Sequence, residues 1–126
     1  MAKVALLIGI LLFSFPAAAA EIPPETQVQL QAIMQEYVDQ ISIDGAYTYI
    51  DHNSEELKTV YAANVHPMVL PFGKDYFVCS EMVDENGNHI TADFLVREFD
   101  DGFRVIQMIV DDRPLVEAAM AKIGSM

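Results

Sequence analysis

The chain has 126 residues, a formal net charge of −12 and one cysteine, Cys79. Nineteen acidic residues outnumber seven basic ones, and the basic residues form no cluster, which excludes nucleic acid as a partner and disfavours binding to an anionic membrane surface. A single cysteine also excludes an intramolecular disulfide.

The first 20 residues have the pattern of a secretory signal peptide. Lys3 supplies the positive charge, residues 4–15 form the apolar segment, and Ala17 to Ala20 give the small-residue exit. This apolar segment is shorter than the ~20 residues that span a bilayer. We therefore predict a signal peptide over 1–20, cleavage after Ala20, and a single domain over 21–126. The mature protein is expected to be periplasmic or secreted, without membrane attachment.

An amphipathic helix is predicted over residues 26–43. Its apolar positions recur at steps of three and four residues. They are Leu30, Ile33, Met34, Tyr37 and Ile41. Thr26 is expected to cap the helix, and Asp44-Gly45 is a typical stop signal.

Alternating apolar residues predict strands over 46–51, 57–65, 76–84, 89–99 and 103–111. Asn86-Gly87 and Asp101-Gly102 predict tight hairpin turns. Both faces of the last strand are apolar, so we expect it to be central or covered on both sides. The apolar segment 67–72 contains two prolines and is a loop or a kinked edge strand. It either provides an interface, including one for a homodimer, or folds back over the core.

A short helix is predicted to close the chain, capped by Asp112 and ended by Gly124. The element order predicts an α+β fold. In this fold an N-terminal amphipathic helix packs on a curved antiparallel sheet of about five strands, followed by a short C-terminal helix. This order resembles the cystatin-like and NTF2-like arrangement, in which a sheet wraps a helix.

A second resemblance concerns four short stretches of sequence. Asn64 to Met68, Asp75 to Cys79, Asp84 to Gly87 and Ala92 to Phe94 look like a pattern of small uncharacterised secreted bacterial proteins. The resemblance implies no activity. It directs attention to these positions.

Four residues are candidates for a ligand site: His66, Asp93, Tyr47 and Tyr49. His66 precedes a proline, which favours an extended backbone. Asp93 lies mid-strand and could form the polar end of a pocket with Tyr47 or Tyr49. The pattern favours the plainer alternatives, in which His66 tethers a loop and Asp93 is solvated.

Metal binding and catalysis remain alternatives. His66 and Cys79 could form a soft-metal site, although the apolar run before Cys79 favours a buried, inert thiol. Asp93 could act as a general base, as pocket carboxylates do in some NTF2-like enzymes. No elbow or oxyanion motif is present, and no residue is predicted to be catalytic.

The sequence thus favours a non-enzymatic binding or protein-interaction domain without a cofactor. Its partner would be a small molecule or an envelope protein. The alternatives are a small periplasmic metal-binding protein using His66 and Cys79, or an NTF2-like enzyme with Asp93 as the base.

Overall fold

The computed structural model describes residues 21–63 and 67–124. Helix α1 spans Pro24–Ile41 and buries one stripe formed by Leu30, Met34 and Val38. These residues are four apart, so they share one face of the helix. The predicted cap at Thr26 is wrong: the helix begins earlier, at Pro24, whose fixed φ and missing N–H suit a first helical position.

Six strands follow α1 and form one antiparallel sheet. They are β1 (Ala46–Ile50), β2 (Leu57–Ala62), β3 (Met68–Phe72), β4 (Asp75–Asp84), β5 (His89–Phe99) and β6 (Gly102–Val110). The order is β1-β2-β4-β5-β6, with β3 also paired to β4. The sheet is curved, and the predicted α+β class is confirmed.

Strands β2 and β3 share one edge of β4. Val60 to Ala62 pair with Asp84 to Met82, and Met68 to Phe72 pair with Cys79 to Asp75. The apolar segment that carries two prolines is therefore an edge strand rather than a loop. Pro71 is tolerated there because an edge strand pairs on one side only.

The two faces of the sheet are covered by different helices. On the inner face, α1 packs over the main core. This core contains Leu30, Met34, Val38, Val60, Val78, Met82, Ala92, Phe94 and Val96. On the outer face, helix α2 (Arg113–Gly124) packs Val116 and Met120 over Phe77 and Cys79.

The predicted cap of α2 is confirmed, because Asp112 Oδ1 accepts a hydrogen bond from the Leu115 amide at 3.3 Å. Strand β6 is an edge strand, so of the two expected alternatives, a central position or cover on both sides, the first does not hold. It is nevertheless packed on both faces, with Met108 against the inner core and Ile109 against the outer one. No helix within 21–63 and 67–124 is long and apolar enough to cross a membrane.

Candidate functional site

Asp93 is fully buried under α2, and the expectation that it is solvated is wrong. It lies opposite Cys79 on the neighbouring strand and opposite Ile109 on β6. Nη1 of Arg113, in the first turn of α2, donates to Asp93 Oδ1 at 2.5 Å. The same Nη1 lies 3.3 Å from Cys79 Sγ. Asp93, Cys79 and Arg113 therefore form one cluster between the outer face and α2.

The thiol of Cys79 is 7 % exposed and held in its neutral form. Burial, with a smaller contribution from the Asp93 carboxylate, raises its pKa from 9.0 to about 11, although Arg113 opposes the shift. A nucleophilic or metal-binding cysteine needs the thiolate, which is scarce at neutral pH when the pKa is this high. Burial of Cys79 is thus confirmed, and its environment favours an unreactive thiol.

Asp93 has no route to a substrate in this arrangement. Its Oδ1 is paired with Arg113, and its Oδ2 is buried without a hydrogen-bond partner among the described residues. A general base must come within hydrogen-bond distance of the proton that it removes. Within 21–63 and 67–124 no three potential ligands are grouped to hold a metal ion. The cluster instead fixes α2 to the sheet.

Tyr47 and Tyr49 lie on the other side of the sheet from Asp93. Both pack against the inner core, and their rings stack with centroids 6.0 Å apart and planes 8° from parallel. The structure does not bring them together with Asp93. His66, the fourth candidate, lies outside the described residues.

A cavity of about 330 Å³ lies between the two outermost strands, β1 and β6. We call it the β1–β6 slot. It is lined by Tyr47, Tyr49, Ile50, His52, Gln107, Met108, Ile109, Val110, Asp112 and Leu115. Side chains alternate between the faces of a strand, so a cavity that contacts four consecutive residues of β6 runs along the edge of that strand.

The surroundings of Tyr49 carry negative charge. Its hydroxyl is buried without a hydrogen-bond partner among the described residues. Burial raises the pKa of Tyr49, and Asp111, Asp51 and Asp84 raise it further. Asp51 is partly neutralised, since Lys58 Nζ lies 3.3 Å from its Oδ2. The slot therefore combines apolar and aromatic walls with a negative potential.

Sequence reasoning missed the role of Arg113. One signal was available: a cation in the first turn of a helix is unfavourable with the helix dipole and needs a compensating partner. The β1–β6 slot had no comparable signal, because it depends on two strands that are about 60 residues apart and become neighbours only through sheet curvature.

No protein-family model matches the chain, and no curated protein or solved structure is significantly similar to it. The likeness to the cystatin-like and NTF2-like arrangement stays a prediction from element order.

Proposed function

We propose that this chain is a non-enzymatic binding domain of the periplasm or extracellular space that takes a positively charged ligand in the β1–β6 slot. The observation that carries the proposal is the buried Tyr49 hydroxyl, which has no partner among the described residues and lies at a partly apolar cavity under negative potential. Buried polar groups normally have a partner, so a bound molecule would supply the missing hydrogen bond.

The sign of the ligand charge follows from the surroundings of the slot. Asp112 lines it, and Asp51, Asp84 and Asp111 act on Tyr49. A cation gains from these carboxylates and from the aromatic faces of Tyr47 and Tyr49. The acidic composition of the chain supports the same choice, because an anion would be repelled at long range.

The two alternatives from the sequence have less support. An enzyme with Asp93 as the base needs an accessible carboxylate, whereas Asp93 is buried and paired with Arg113. A metal site that uses Cys79 must compete with Arg113, whose positive charge lies beside the sulfur. Both groups are better explained as anchors of α2.

The test uses phenethylammonium as the probe, with phenethyl alcohol and 3-phenylpropionate as its neutral and anionic analogues. Binding to the protein purified from an exporting host is measured by isothermal titration calorimetry. We expect the cation to bind at least tenfold more tightly than either analogue, and its affinity to fall as salt is added. Equal binding of the three probes, or no binding of the cation, would overturn the proposal.

Two variants test whether the cation binds in the β1–β6 slot. Asp111→Asn removes a charge at a position with φ 54°, which asparagine tolerates, and is expected to weaken cation binding. Asp100→Asn is the matched control, because it lies beyond the opposite end of β6, a strand about 30 Å long. Equal losses in both variants would indicate a general charge effect and count against a site in the slot.

A further inference from the structure

We infer that the occupant of the β1–β6 slot is an extended, basic segment of a partner protein, which adds to the sheet as a strand between β1 and β6. This inference rests on the proposed function, because it requires the slot to be the binding site. It is carried by the backbone of the two edge strands, by their relative direction and by the local charge.

The outer edge of β6 directs unpaired backbone groups into the slot. The Asp111 amide donates to the Thr91 carbonyl at 2.9 Å, so these residues form a hydrogen-bonded pair. Such pairs alternate along an antiparallel ladder, which makes Asp93 and Ile109 the next bonded pair. The intervening residues, Met108 and Val110, therefore point their N–H and C=O groups away from β5.

The same reasoning applies to β1. The Asp51 amide donates to the Glu56 carbonyl at 2.8 Å, and the next bonded pair along the ladder is Tyr49 with Lys58. Thr48 and Ile50 thus point their backbone groups away from β2. Ala46 also points outward, but it exchanges two hydrogen bonds with Ile43 at 2.9 and 3.0 Å.

The two edges have the same direction. Four antiparallel pairings separate β1 from β6, so both strands run the same way. A segment that runs antiparallel to both would continue the alternation of the sheet. It would hydrogen-bond to Thr48 and Ile50 on one side and to Met108 and Val110 on the other. Its alternate side chains would face Tyr47 and Tyr49.

Beyond Ala46, whose outward groups pair with Ile43, strand β1 is open to such an addition. Proteins commonly protect edge strands with charged residues, proline or bulges. Strand β3 carries Pro71, and a bulge interrupts the pairing of β5 with β6 at Leu95/Val96. The sequence of β1, from Ala46 to Ile50, contains no charge and no proline.

Charge selects a basic partner over a second copy of this chain. A copy would bring its own net charge of −12 towards Asp111 and Asp112. Lysine or arginine residues flanking an apolar, β-forming centre would instead pair with these carboxylates. Strand addition of this kind gives affinity through the main chain and specificity through the side chains.

The experiment compares an acetylated and amidated pentapeptide, Lys-Val-Thr-Val-Lys, with the same peptide N-methylated at alternate residues. Titrations use the protein purified from an exporting host, with phenethylammonium in parallel. We expect N-methylation to weaken binding at least tenfold. In amide hydrogen exchange, the peptide should slow exchange at Thr48, Ile50, Met108 and Val110 but leave Tyr49 and Ile109 unchanged.

A variant of the protein, rather than of the peptide, tests the same hydrogen bonds. Thr48→Pro removes an outward N–H from an edge strand, where proline is tolerated. It should keep the melting temperature within a few degrees, bind the pentapeptide at least tenfold more weakly, and retain phenethylammonium. If this variant fails to fold, the hydrogen-exchange pattern of the unaltered protein tests strand addition on its own.

The outcomes separate the inference from the proposed function. If phenethylammonium binds but the peptide either fails to bind or tolerates N-methylation, strand addition is wrong and the slot remains a small-cation site. If neither probe binds, the proposed function fails as well. Dimerisation of the protein with protection of the same four amides would identify a second copy as the occupant and overturn the inference.

Discussion

Arg113 and Asp93 form an ion pair that fixes the first turn of α2 to the middle of the sheet. Asp93 is fully buried, whereas the Arg113 side chain is one-third exposed, so the guanidinium links a buried carboxylate to the surface. Cys79 shares the same guanidinium nitrogen. The pair thus determines where α2, and with it Leu115 of the β1–β6 slot, lies on the outer face.

Removal of Arg113 should be strongly destabilising. Arg113→Met leaves the Asp93 carboxylate buried without its partner, and such losses cost about 3–5 kcal/mol. Urea unfolding followed by circular dichroism measures this change. The double variant Asp93→Leu with Arg113→Met should recover most of the loss, because no buried charge remains.

Arg104→Met is the matched control for this prediction. Arg104 pairs with Asp101 at the surface, and both side chains are more than half exposed. Such a pair contributes little to stability, so the unfolding midpoint should stay close to that of the unaltered protein. Equal destabilisation by the two arginine variants would contradict the role assigned to Asp93.

Cys79 should make the protein less stable in alkali. Its folded pKa of about 11 exceeds the ordinary value of 9.0, so between these pH values the folded state holds a proton that the unfolded state has lost. The contribution is complete below pH 9 and disappears as the pH rises through 11. Two pKa units correspond to at most about 3 kcal/mol.

The comparison with Cys79→Ala isolates this contribution. Tyr47 and Tyr49 also have raised pKa values and weaken both proteins in alkali. The difference in unfolding free energy between the two proteins should therefore shrink as the pH rises from 9 to 11. A difference that does not change with pH would show that the folded environment leaves the thiol pKa unaltered.

Tyr49→Phe should leave the unligated protein as stable as before or up to about 1 kcal/mol more stable. The hydroxyl that it removes is buried and has no partner among the described residues, so its loss relieves a desolvation cost. Thermal unfolding measures this change in stability, with Tyr61→Phe at an exposed position of β2 as the control. A clear loss of stability would mean that the hydroxyl has a partner, such as an ordered water.

Leu30→Ala should cost about 2–5 kcal/mol, because Leu30 is fully buried between α1 and the sheet and its removal leaves a cavity. Val28→Ala, on the same helix at a position 64 % exposed, should change the free energy of unfolding by less than about 0.5 kcal/mol. Similar effects of the two substitutions in urea unfolding would contradict the assigned face of α1.

The sequence predicted the elements better than the sites. Periodicity located α1, and turn residues such as Asn86-Gly87 located the hairpins, because both signals are local. Burial of Asp93 could not be predicted in this way, since it depends on α2 returning 20 residues later to place Arg113 over the strand. The choice of Tyr47 and Tyr49 as site residues stays a prediction, and their alignment with β6 depends on the curvature of the whole sheet, which no local pattern encodes.

The shared edge of β4 has a consequence for the order of folding. Strands β3, β4, β5 and β6 are joined by short turns, so their pairing closes small loops at low entropic cost. Strand β2 pairs with the same edge of β4 across a larger separation in sequence, since Val60 lies opposite Asp84, and β1 pairs with β2. We therefore expect the last four strands to assemble first, and the hairpin of β1 and β2 to be the part that opens most readily in the folded protein.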